Sequence, residues 1–391
     1  MQKILFLHRH SLDPRGRGGH HRSYQIFSDL QNKFGDAVSA LSIESLTMKI
    51  SPSGNRRINA LSKRLKLATS ALKRGYHPEK VLYDLLAQNG VAYKTFGEVQ
   101  GKKYEEYIHK NGKPLVCIVD SPAFLPIIRF NKANGIKTVY CPQNIDSFDI
   151  WAHTLNSYPS RVKCSLHWLV EMEALATSDD RWMISELETN FIDGLGMPAS
   201  HYPYLPVGVI RDRLLRIRAS RGTNTDKINT FLMFGSMTHR TTCESFRWLL
   251  DNVQARGLPR GFQLQVAGRG GEKLAQDYPS IPNVQIRGLL TQDELDHLLT
   301  KTSLVLLPQR SGFGAVTRVS EMACAGIPVI TSQHIMAAMN PPPGVTALPN
   351  AYDLWEKAIE NNLDIVHKCS LNKYSAWEKQ QNNPINDLLI S

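Results

Sequence analysis

Short apolar runs alternate with longer amphipathic runs along most of this chain of 391 residues. In the first half, the apolar runs that have the length of β-strands fall at 3–9, 37–43, 114–120, 138–142 and 181–185. In the second half they fall at 228–235, 262–268, 284–288, 303–308 and 327–332. Helical periodicity occupies sequence between them, at 19–34, 242–256, 291–300 and 316–326. This alternation is typical of βαβ units, so the pattern predicts an α/β fold with mostly parallel sheets.

The length and a change in composition predict two domains. A single hydrophobic core rarely grows beyond roughly 250–300 residues. At 203–228 a proline-rich segment is followed by a polar stretch, 218–227, whose composition indicates flexibility. We therefore expect an N-terminal Rossmann-like domain over 1–205 and a C-terminal one over 206–391, with a helical tail after about residue 353 that can pack back on the first domain. The two sheets face a central cleft, where strand ends and helix N-termini meet ligands.

Three further features predict a cytoplasmic protein. No apolar run reaches the roughly 20 residues that a membrane-spanning helix needs. The N-terminus lacks the long apolar stretch and the cleavage site of a signal peptide. The six cysteines are scattered without metal-like spacing, which is typical of reduced and buried thiols.

The most informative stretch is 311–332, where a glycine loop leads into a helix, a small turn and a strand. Gly312 and Gly314 allow the backbone to approach a ligand, and the helix start offers N–H groups to a diphosphate. Arg318 can contact a phosphate, and Glu321 lies on the same helix face three residues later. A carboxylate there can accept hydrogen bonds from ribose hydroxyls. The alternative interpretation is an ordinary strand–loop–helix with an Arg–Glu surface pair.

The same stretch resembles the donor-site signature of GT-B-fold glycosyltransferases of the family-4 type (glycosyl transferases group 1), approximately G-x-x-x-K/R-x-x-E-x-M-A-x-G-x-P-V. The residues that match it in order are Gly314, Arg318, Glu321, Met322, Ala323, Gly326, Pro328 and Val329. The resemblance implies that Glu321 binds the ribose and that Arg318 lies near the diphosphate. It also implies that the loop lines the donor site with Gly312, Phe313, Gly314, Ala315, Val316 and Thr317. Phe313 stands where many relatives carry a first Glu.

A second donor-site element is expected at 231–237, which resembles the strand and glycine turn that open the second domain in this family. The resemblance places Gly235 and Ser236 beside the donor. Relatives carry an Arg and a Lys after this glycine, at positions that are Ser236 and Thr241 here. Arg240, one residue away, is the candidate that contacts the phosphate instead. Arg240 and Arg318 are therefore the candidate catalytic cations that stabilise the leaving diphosphate.

The acceptor side of the cleft is predicted from a glycine-rich loop that leads into the first helix. Gly18, Gly19, His20 and His21 resemble the cleft-lining loop of GT-B enzymes. The alternative is a plain surface loop. A metal site is not expected, because adjacent histidines do not share a helix face.

Carboxylates that follow two strands complete the predicted site. Asp120 ends an apolar strand and is a candidate catalytic residue, although it is equally placed to cap the next helix. Asn144 and Asp146 belong to the segment QNIDS at 143–147, which resembles the HNxES element of many relatives. We expect them on the acceptor side.

The positive charge of the chain is concentrated near its N-terminus. The net charge is +11, and residues 1–110 hold 19 Lys and Arg against 9 Asp and Glu. Within the segment 54–80, apolar residues recur at spacings of three and four among basic ones, at Ile58, Leu61, Leu65, Ala68 and Leu72. This pattern predicts a helix on an anionic membrane surface. One alternative is a solvated surface helix. The other is nucleic-acid binding, which is less favoured because aromatic residues are not interleaved with the basic ones.

The resemblance implies a glycosyltransferase that moves a sugar from a UDP- or GDP-linked donor to a saccharide or lipid-linked acceptor. It further implies retention of configuration, a role in surface or exopolysaccharide biosynthesis, no permanently bound cofactor and no required metal. The alternatives are a nucleotide-sugar epimerase of the same fold, a phosphorylase, and a basic nucleic-acid-binding protein. An epimerase requires acid/base carboxylates in the cleft, and a phosphorylase requires a pyridoxal-phosphate lysine.

Overall fold

The computed structural model describes residues 4–16, 18–42, 98–148, 151, 158–222, 229–309, 314–336, 338–361 and 370–388. The basic segment 54–80 lies outside these residues, as do Gly312 and Phe313 of the predicted donor loop. No helix within the described ranges is long and apolar enough to cross a membrane. The cysteines in these ranges, Cys117, Cys141, Cys164, Cys243 and Cys324, are free thiols.

The first domain is built on a six-stranded parallel sheet in the order β2-β1-β3-β4-β5-β6. Its strands are β1 (Ile4–His8), β2 (Val38–Ser42), β3 (Val116–Val119), β4 (Lys137–Tyr140), β5 (Asp180–Met183) and β6 (Ser200–His201). Its described helices are α1 (Gly18–Phe34), α2 (Glu98–Asn111), α3 (Leu125–Ala133), α4 (Tyr158–Thr177) and α5 (Glu186–Gly194). The strand order reverses between β1 and β3, so a crevice opens beyond their carboxyl ends.

The second domain repeats this plan with the order β12-β11-β10-β7-β8-β9. Its strands are β7 (Thr230–Phe234), β8 (Gln263–Ala267), β9 (Val284–Ile286), β10 (Leu304–Leu307), β11 (Val329–Ser332) and β12 (Val345–Leu348). Its helices, with the preceding connection, are α6 (Gly208–Gly222), α7 (Arg240–Arg256), α8 (Gly271–Asp277), α9 (Gln292–Lys301), α10 (Thr317–Cys324), α11 (Gln333–Met336), α12 (Tyr352–Asn361) and α13 (Leu371–Lys379). Here the order reverses between β7 and β10. The two parallel sheets confirm the predicted α/β fold class.

Central strands of both sheets are buried along their whole length, which explains their uniformly apolar sequences. All five residues of β1, all four of β3 and all four of β10 are buried. The amphipathic helices cover the sheets with their apolar faces: Ile26 and Leu30 of α1 pack with β1, and Phe246 and Leu249 of α7 pack with β7. This burial fixes the strand ends from which the cleft residues project.

Helix α6 corrects the expectation of a flexible connection. The structure continues this helix through Gly222, into the polar stretch that was expected to be flexible, while residues 223–228 lie outside the described part. Ile210, Leu214 and Ile217 recur at helical spacing and are buried against α9 and α10. Several arginines between them lower the average hydrophobicity and conceal this stripe in the sequence. The predicted boundary between residues 205 and 206 stays a prediction, and it lies between β6 and β7.

The C-terminal tail returns to the first domain. Tyr374 and Trp377 of α13 pack in the core of the second domain, whereas Ile385 and Leu388 join the core around β1. The Lys33 ammonium at the end of α1 donates to the Ile385 carbonyl at 2.6 Å. The tail therefore bridges the two domains.

Candidate functional site

A cavity of about 1090 Å³ lies between the carboxyl ends of the two sheets. Its lining brings together most of the residues that the sequence singles out: Gly18, Gly19, His20, His21, Asp120, Asn144, Asp146, Gly235, Ser236, Gly314, Ala315, Val316, Thr317, Arg318 and Glu321. Residues from both domains thus share one space. Arg240 is not part of this lining, and Gly312 and Phe313 lie outside the described residues.

At three points of the cavity, a glycine allows a neighbouring segment of the chain to approach the backbone closely. Gly268 follows β8 with φ +142°, and a Cβ there would lie 1.9 Å from the Gly235 carbonyl oxygen, so a side chain would clash. Across the cleft, a Cβ on Gly314 would lie 3.2 Å from Asn144 Cβ. A Cβ on Gly18 would lie 3.0 Å from Thr317 Oγ1. The two domains are therefore in close contact at the start of α10.

Arg318 lies in the first turn of α10, half-buried at the cavity wall. Its guanidinium donates a hydrogen bond to the carbonyl of Phe234, the last residue of β7, and lies 5.7 Å from that residue's ring centroid. Burial lowers the pKa of Arg318 to about 10, while nearby Glu321 opposes the change. The side chain remains a cation at neutral pH, beside the turn at Gly235. This position suits contact with an anionic ligand at the strand end.

Glu321 is buried and accepts hydrogen bonds from residues outside its own domain. Its Oε1 accepts a hydrogen bond from His21 Nδ1 at 2.7 Å and from the Tyr204 hydroxyl at 3.1 Å. Burial by itself raises the pKa of Glu321, but the interactions with His21, the Arg213 charge and the Tyr204 hydroxyl together bring it below the usual range. Glu321 is therefore an ionised carboxylate at the cavity wall. The sequence gives no sign of the contact with His21, which is 300 residues away.

Asp120 connects two elements of the first domain. Its Oδ1 accepts the backbone N–H of Arg9 at 2.8 Å, and its Oδ2 accepts the hydroxyl of Ser23 in α1 at 2.7 Å. Burial raises the pKa of Asp120 to about 6, although both hydrogen bonds oppose the rise. The capping alternative is wrong, because it is Ser121 that accepts the N–H of Ala123 at the start of the next turn. The predicted catalytic role of Asp120 stays a prediction.

Asp146 belongs to a partly buried charge network that the sequence did not reveal. His167 Nε2 of α4 lies 3.6 Å from both Asp146 Oδ2 and Glu171 Oε1, and Arg9 Nη1 lies 3.8 Å from Asp146 Oδ2. Burial lowers the pKa of His167, but the two carboxylates outweigh it and raise the value to about 9. Glu171 also accepts the backbone N–H groups of Asp146 at 2.7 Å and Ser147 at 3.0 Å. The network therefore fixes the backbone that carries Asp146 to the cleft.

The same three residues have the chemistry of metal ligands. Asp146, His167 and Glu171 each offer one ligand atom, and these atoms lie within 4.8 Å of one another. Metal binding requires a neutral imidazole. The two carboxylates hold the pKa of His167 at about 9, so the group forms an ion-paired network, and a metal ion that bound there would have to displace the imidazole proton.

The loop after β1 and the start of the first helix present histidines at the cleft. His10 and His20 both line the cavity, and their ring centroids lie 5.5 Å apart. A Cβ on Gly19 would lie 3.0 Å from the His10 ring, so the glycine makes room for this imidazole. Burial, together with the Arg9 charge and His20, lowers the pKa of His10 to about 4. His10 is therefore a neutral imidazole, able to accept a hydrogen bond from a ligand hydroxyl.

Arg240 begins α7 and lies largely in solvent. Its Nε donates to Glu244 Oε1 at 2.5 Å, one turn along the helix, and its side chain is 64% exposed. Ser236 lines the cavity nearby, and its hydroxyl lies 2.7 Å from the Thr238 hydroxyl. Cationic or titratable side chains that line the cavity without having been predicted are Arg9, His10, Arg15, Arg213, His239 and Arg269. The cavity is thus more positive than the sequence motif suggests.

No protein-family model and no curated protein sequence matches the chain. Several solved structures do resemble it. Sucrose-phosphate synthase from Thermosynechococcus elongatus shares 14% identity at a TM-score of 0.63, over 98% of this chain and 95% of that one. HepE from Anabaena, in complex with UDP and glucose, shares 12% identity at a TM-score of 0.57, over 99% and 98%. A glycosyltransferase from Rickettsia africae shares 10% identity at a TM-score of 0.53, over 98% and 95%.

These likenesses cover both domains and their relative arrangement, because each extends over nearly the whole of both chains. They agree with the cleft geometry, in which two topological switch points face each other. At such low identity they establish the architecture and not the reaction. The chain therefore has the GT-B fold, with two Rossmann-like domains that face a central cleft.

Proposed function

We propose that the protein is a glycosyltransferase of the family-4 type that takes its sugar from a UDP- or GDP-linked donor. The observation that carries this proposal is that Arg318, beside the glycine turn at Gly235, and the buried carboxylate of Glu321 line one cavity shared by both domains. A cation near a backbone turn suits a diphosphate, and a buried carboxylate suits ribose hydroxyls. The HepE structures with UDP and with UDP-glucose support a donor of this class.

The reaction would use the two walls of the cleft differently. The bond between the sugar C1 and the phosphate oxygen breaks, and its electron pair leaves with the nucleoside diphosphate. Arg318 and the N–H groups at the start of α10 stabilise that charge. An acceptor hydroxyl held near Asp146, Asn144 and the His20–His21 loop attacks C1, and its proton passes to the departing phosphate oxygen. Attack from the same face as the leaving group retains the configuration.

No metal is needed in this scheme, because fixed cations and helix N–H groups hold the diphosphate. Asp120 supports the acceptor wall, since it ties the end of β1 to α1. The acceptor is a saccharide or a lipid-linked saccharide, and the biological role is surface or exopolysaccharide assembly. We place the protein in the cytoplasm, with access to the inner face of the membrane.

The test is a thermal-shift screen against UDP, GDP and their sugars, followed by a transfer assay with the best donor. A ligand at 100 times its Kd stabilises the folded state by about 2.7 kcal/mol, which gives a clear rise in Tm. A transferred sugar in a new glycosidic bond supports the proposal. Formation of an epimer of the free nucleotide sugar would favour the epimerase alternative, and the absence of any nucleotide effect would reject both.

We further propose peripheral binding to anionic membranes through residues 54–80. This proposal rests on the basic sequence, in which no acidic residue lies between Glu44 and Glu79, and on its apolar stripe. Each Lys or Arg near an anionic surface contributes about 1 kcal/mol, and salt screens the attraction. Changing Arg56, Arg57, Lys63, Arg64 and Lys66 to Gln should abolish sedimentation with anionic vesicles and spare nucleotide binding. Failure of the wild-type protein to sediment at low salt would reject this role.

A further inference from the structure

The carboxylate of Glu321 is held from the opposite domain. Its Oε1 accepts two hydrogen bonds within the described part of the chain, from His21 Nδ1 at 2.7 Å and from the Tyr204 hydroxyl at 3.1 Å. His21 belongs to α1 of the first domain, and Tyr204 belongs to the segment that leads into α6. His21, Tyr204 and Glu321 are each less than a tenth exposed. The orientation of a donor-wall residue is therefore set by residues that lie outside its own helix.

The first turns of α1 and α10 are also packed against each other around this hydrogen bond. Gly18 precedes His21 by three residues, Thr317 precedes Glu321 by four, and a Cβ on Gly18 would lie 3.0 Å from Thr317 Oγ1. A larger residue than glycine at position 18 would push the two helix starts apart. The close approach keeps His21 within reach of Glu321.

A carboxylate has about four acceptor sites, two on each oxygen. His21 and Tyr204 engage Oε1, and Glu321 lines the cavity. An ionised carboxylate that is held at one oxygen presents the other in a fixed direction. Two neighbouring hydroxyls of a ribose are the ligand groups that fit such an acceptor.

We propose that His21 is a positioning residue of the ribose subsite. It holds Oε1 of Glu321 so that Oε2 faces the two ribose hydroxyls, and it makes tight nucleotide binding depend on contact between the two domains. This inference rests on the proposed function, because it requires a nucleoside diphosphate at Glu321. It assigns to the first domain a part in donor recognition, in addition to its place on the acceptor side.

The test compares nucleotides with and without the ribose hydroxyls. Calorimetry measures the Kd of UDP or GDP, whichever binds the wild-type protein, and of its 2′,3′-dideoxy analogue. His21→Ala should weaken the full nucleotide about tenfold, the equivalent of about 1.4 kcal/mol. It should leave the affinity of the dideoxy analogue unchanged. In the Glu321→Ala background, His21→Ala should cause no further loss.

Two variants serve as matched controls. His21→Asn keeps an N–H donor close to the position of Nδ1 and should bind within about twofold of the wild-type protein. Tyr204→Phe removes the longer hydrogen bond alone and should weaken the full nucleotide about threefold, again without affecting the dideoxy analogue. If His21→Ala does not fold, Tyr204→Phe carries the same comparison.

Each other outcome overturns the inference. Equal losses for the full and the dideoxy nucleotide would show that His21 only supports the packing of the domains. A loss for Glu321→Ala with none for His21→Ala or Tyr204→Phe would reject the positioning role and leave the proposed function standing. Failure of the wild-type protein to bind UDP, GDP or their sugars would reject the proposed function and this inference with it.

Discussion

The two walls of the cleft are held by different kinds of contact. On the C-terminal wall, Arg318 and Glu321 project from the same first turns of α10, beside glycine turns at the strand ends. On the N-terminal wall, the carboxylates are fixed by residues that are distant in sequence: Asp120 bonds to Ser23, 97 residues away, and Asp146 lies near Arg9. Local spacing along α10 places the two charged residues of the first wall, although His21 holds Glu321 across the cleft, whereas the second wall depends throughout on the way the chain folds back.

This difference separates two tasks. A nucleoside diphosphate is the constant part of a donor, and backbone turns with a few charges suffice to bind it. In the proposed reaction the acceptor requires a shaped and polar surface, and the buried residues His167 and Glu171 fix the segment that carries Asp146 to it. Variants on the two walls should therefore fail in different ways.

The largest effect is expected from Arg318→Ala on the donor wall. The change removes a charge-assisted contact to the phosphate, worth about 1.5–3 kcal/mol, and should weaken nucleoside-diphosphate binding by about 10- to 150-fold. It also removes the hydrogen bond to Phe234, so a lower Tm should accompany the loss. Calorimetry and thermal unfolding check both. Wild-type affinity in a folded Arg318→Ala variant would argue against this donor pocket.

On the acceptor wall, Asp120 should make stability depend on pH. Its pKa is about 6 in the folded protein against an ordinary 3.8, so the folded state binds an extra proton between about pH 4 and 6. The free energy of unfolding should therefore fall as pH rises through this window and level off above it. The difference in pKa corresponds to about 3 kcal/mol at most, and relaxation of the site reduces it.

Asp120→Asn isolates this contribution. Urea unfolding of both proteins at pH 4, 5, 6 and 7 should show the wild-type protein losing stability relative to the variant as pH rises. An amide at this position can still accept from Arg9 N–H and donate to Ser23, so the fold should persist. A difference that stays constant across the four pH values would contradict the raised pKa.

A smaller loss of nucleotide affinity is expected at Arg240. The sequence predicts that this cation contacts the donor phosphate, but in the structure it lies outside the cavity lining. An exposed pair within one helix turn contributes about 0.3–0.5 kcal/mol. We expect Arg240→Ala to weaken nucleotide binding by less than about fivefold, a loss of less than about 1 kcal/mol, with Arg318→Ala as the reference. A loss equal to that of Arg318→Ala would show that Arg240 turns into the cleft when the nucleotide binds.

The smallest effect should come from chelation. If cations and helix N–H groups hold the diphosphate, then the transfer rate in excess EDTA should equal the rate without it. A His167→Gln variant tested in parallel controls for the cluster with Asp146 and Glu171. Loss of activity in EDTA that Mn²⁺ or Mg²⁺ restores would contradict the metal-free scheme.

The sequence predicted most strands and helix α10 because both leave periodic or local signals. It missed β6 and β12, which have two and four residues and only partly buried side chains. The prediction that Arg240 contacts the phosphate rested only on its closeness in sequence to Thr241. One residue along a helix turns the side chain by about 100°, and it is Thr241 and Thr242 that line the cavity.

The partners of the charged groups could not be predicted, since no local pattern joins residues so far apart. The contact between His21 and Glu321 depends on how α1 and α10 meet across the cleft. The Asp146 network likewise depends on α4, whose His167 and Glu171 are four residues apart and face inward only once the helix is packed. The sequence shows which groups carry charge, and the fold decides what each of them contacts.

The central claim is that a nucleoside diphosphate binds on the donor wall with its ribose at Glu321. A calorimetric titration of the wild-type protein and Glu321→Ala with the nucleotide selected by thermal shift tests it most directly. We predict one site per chain in the wild-type protein and an affinity about 10- to 150-fold lower in the variant, with both proteins folded. Equal affinities in the two proteins would contradict the account.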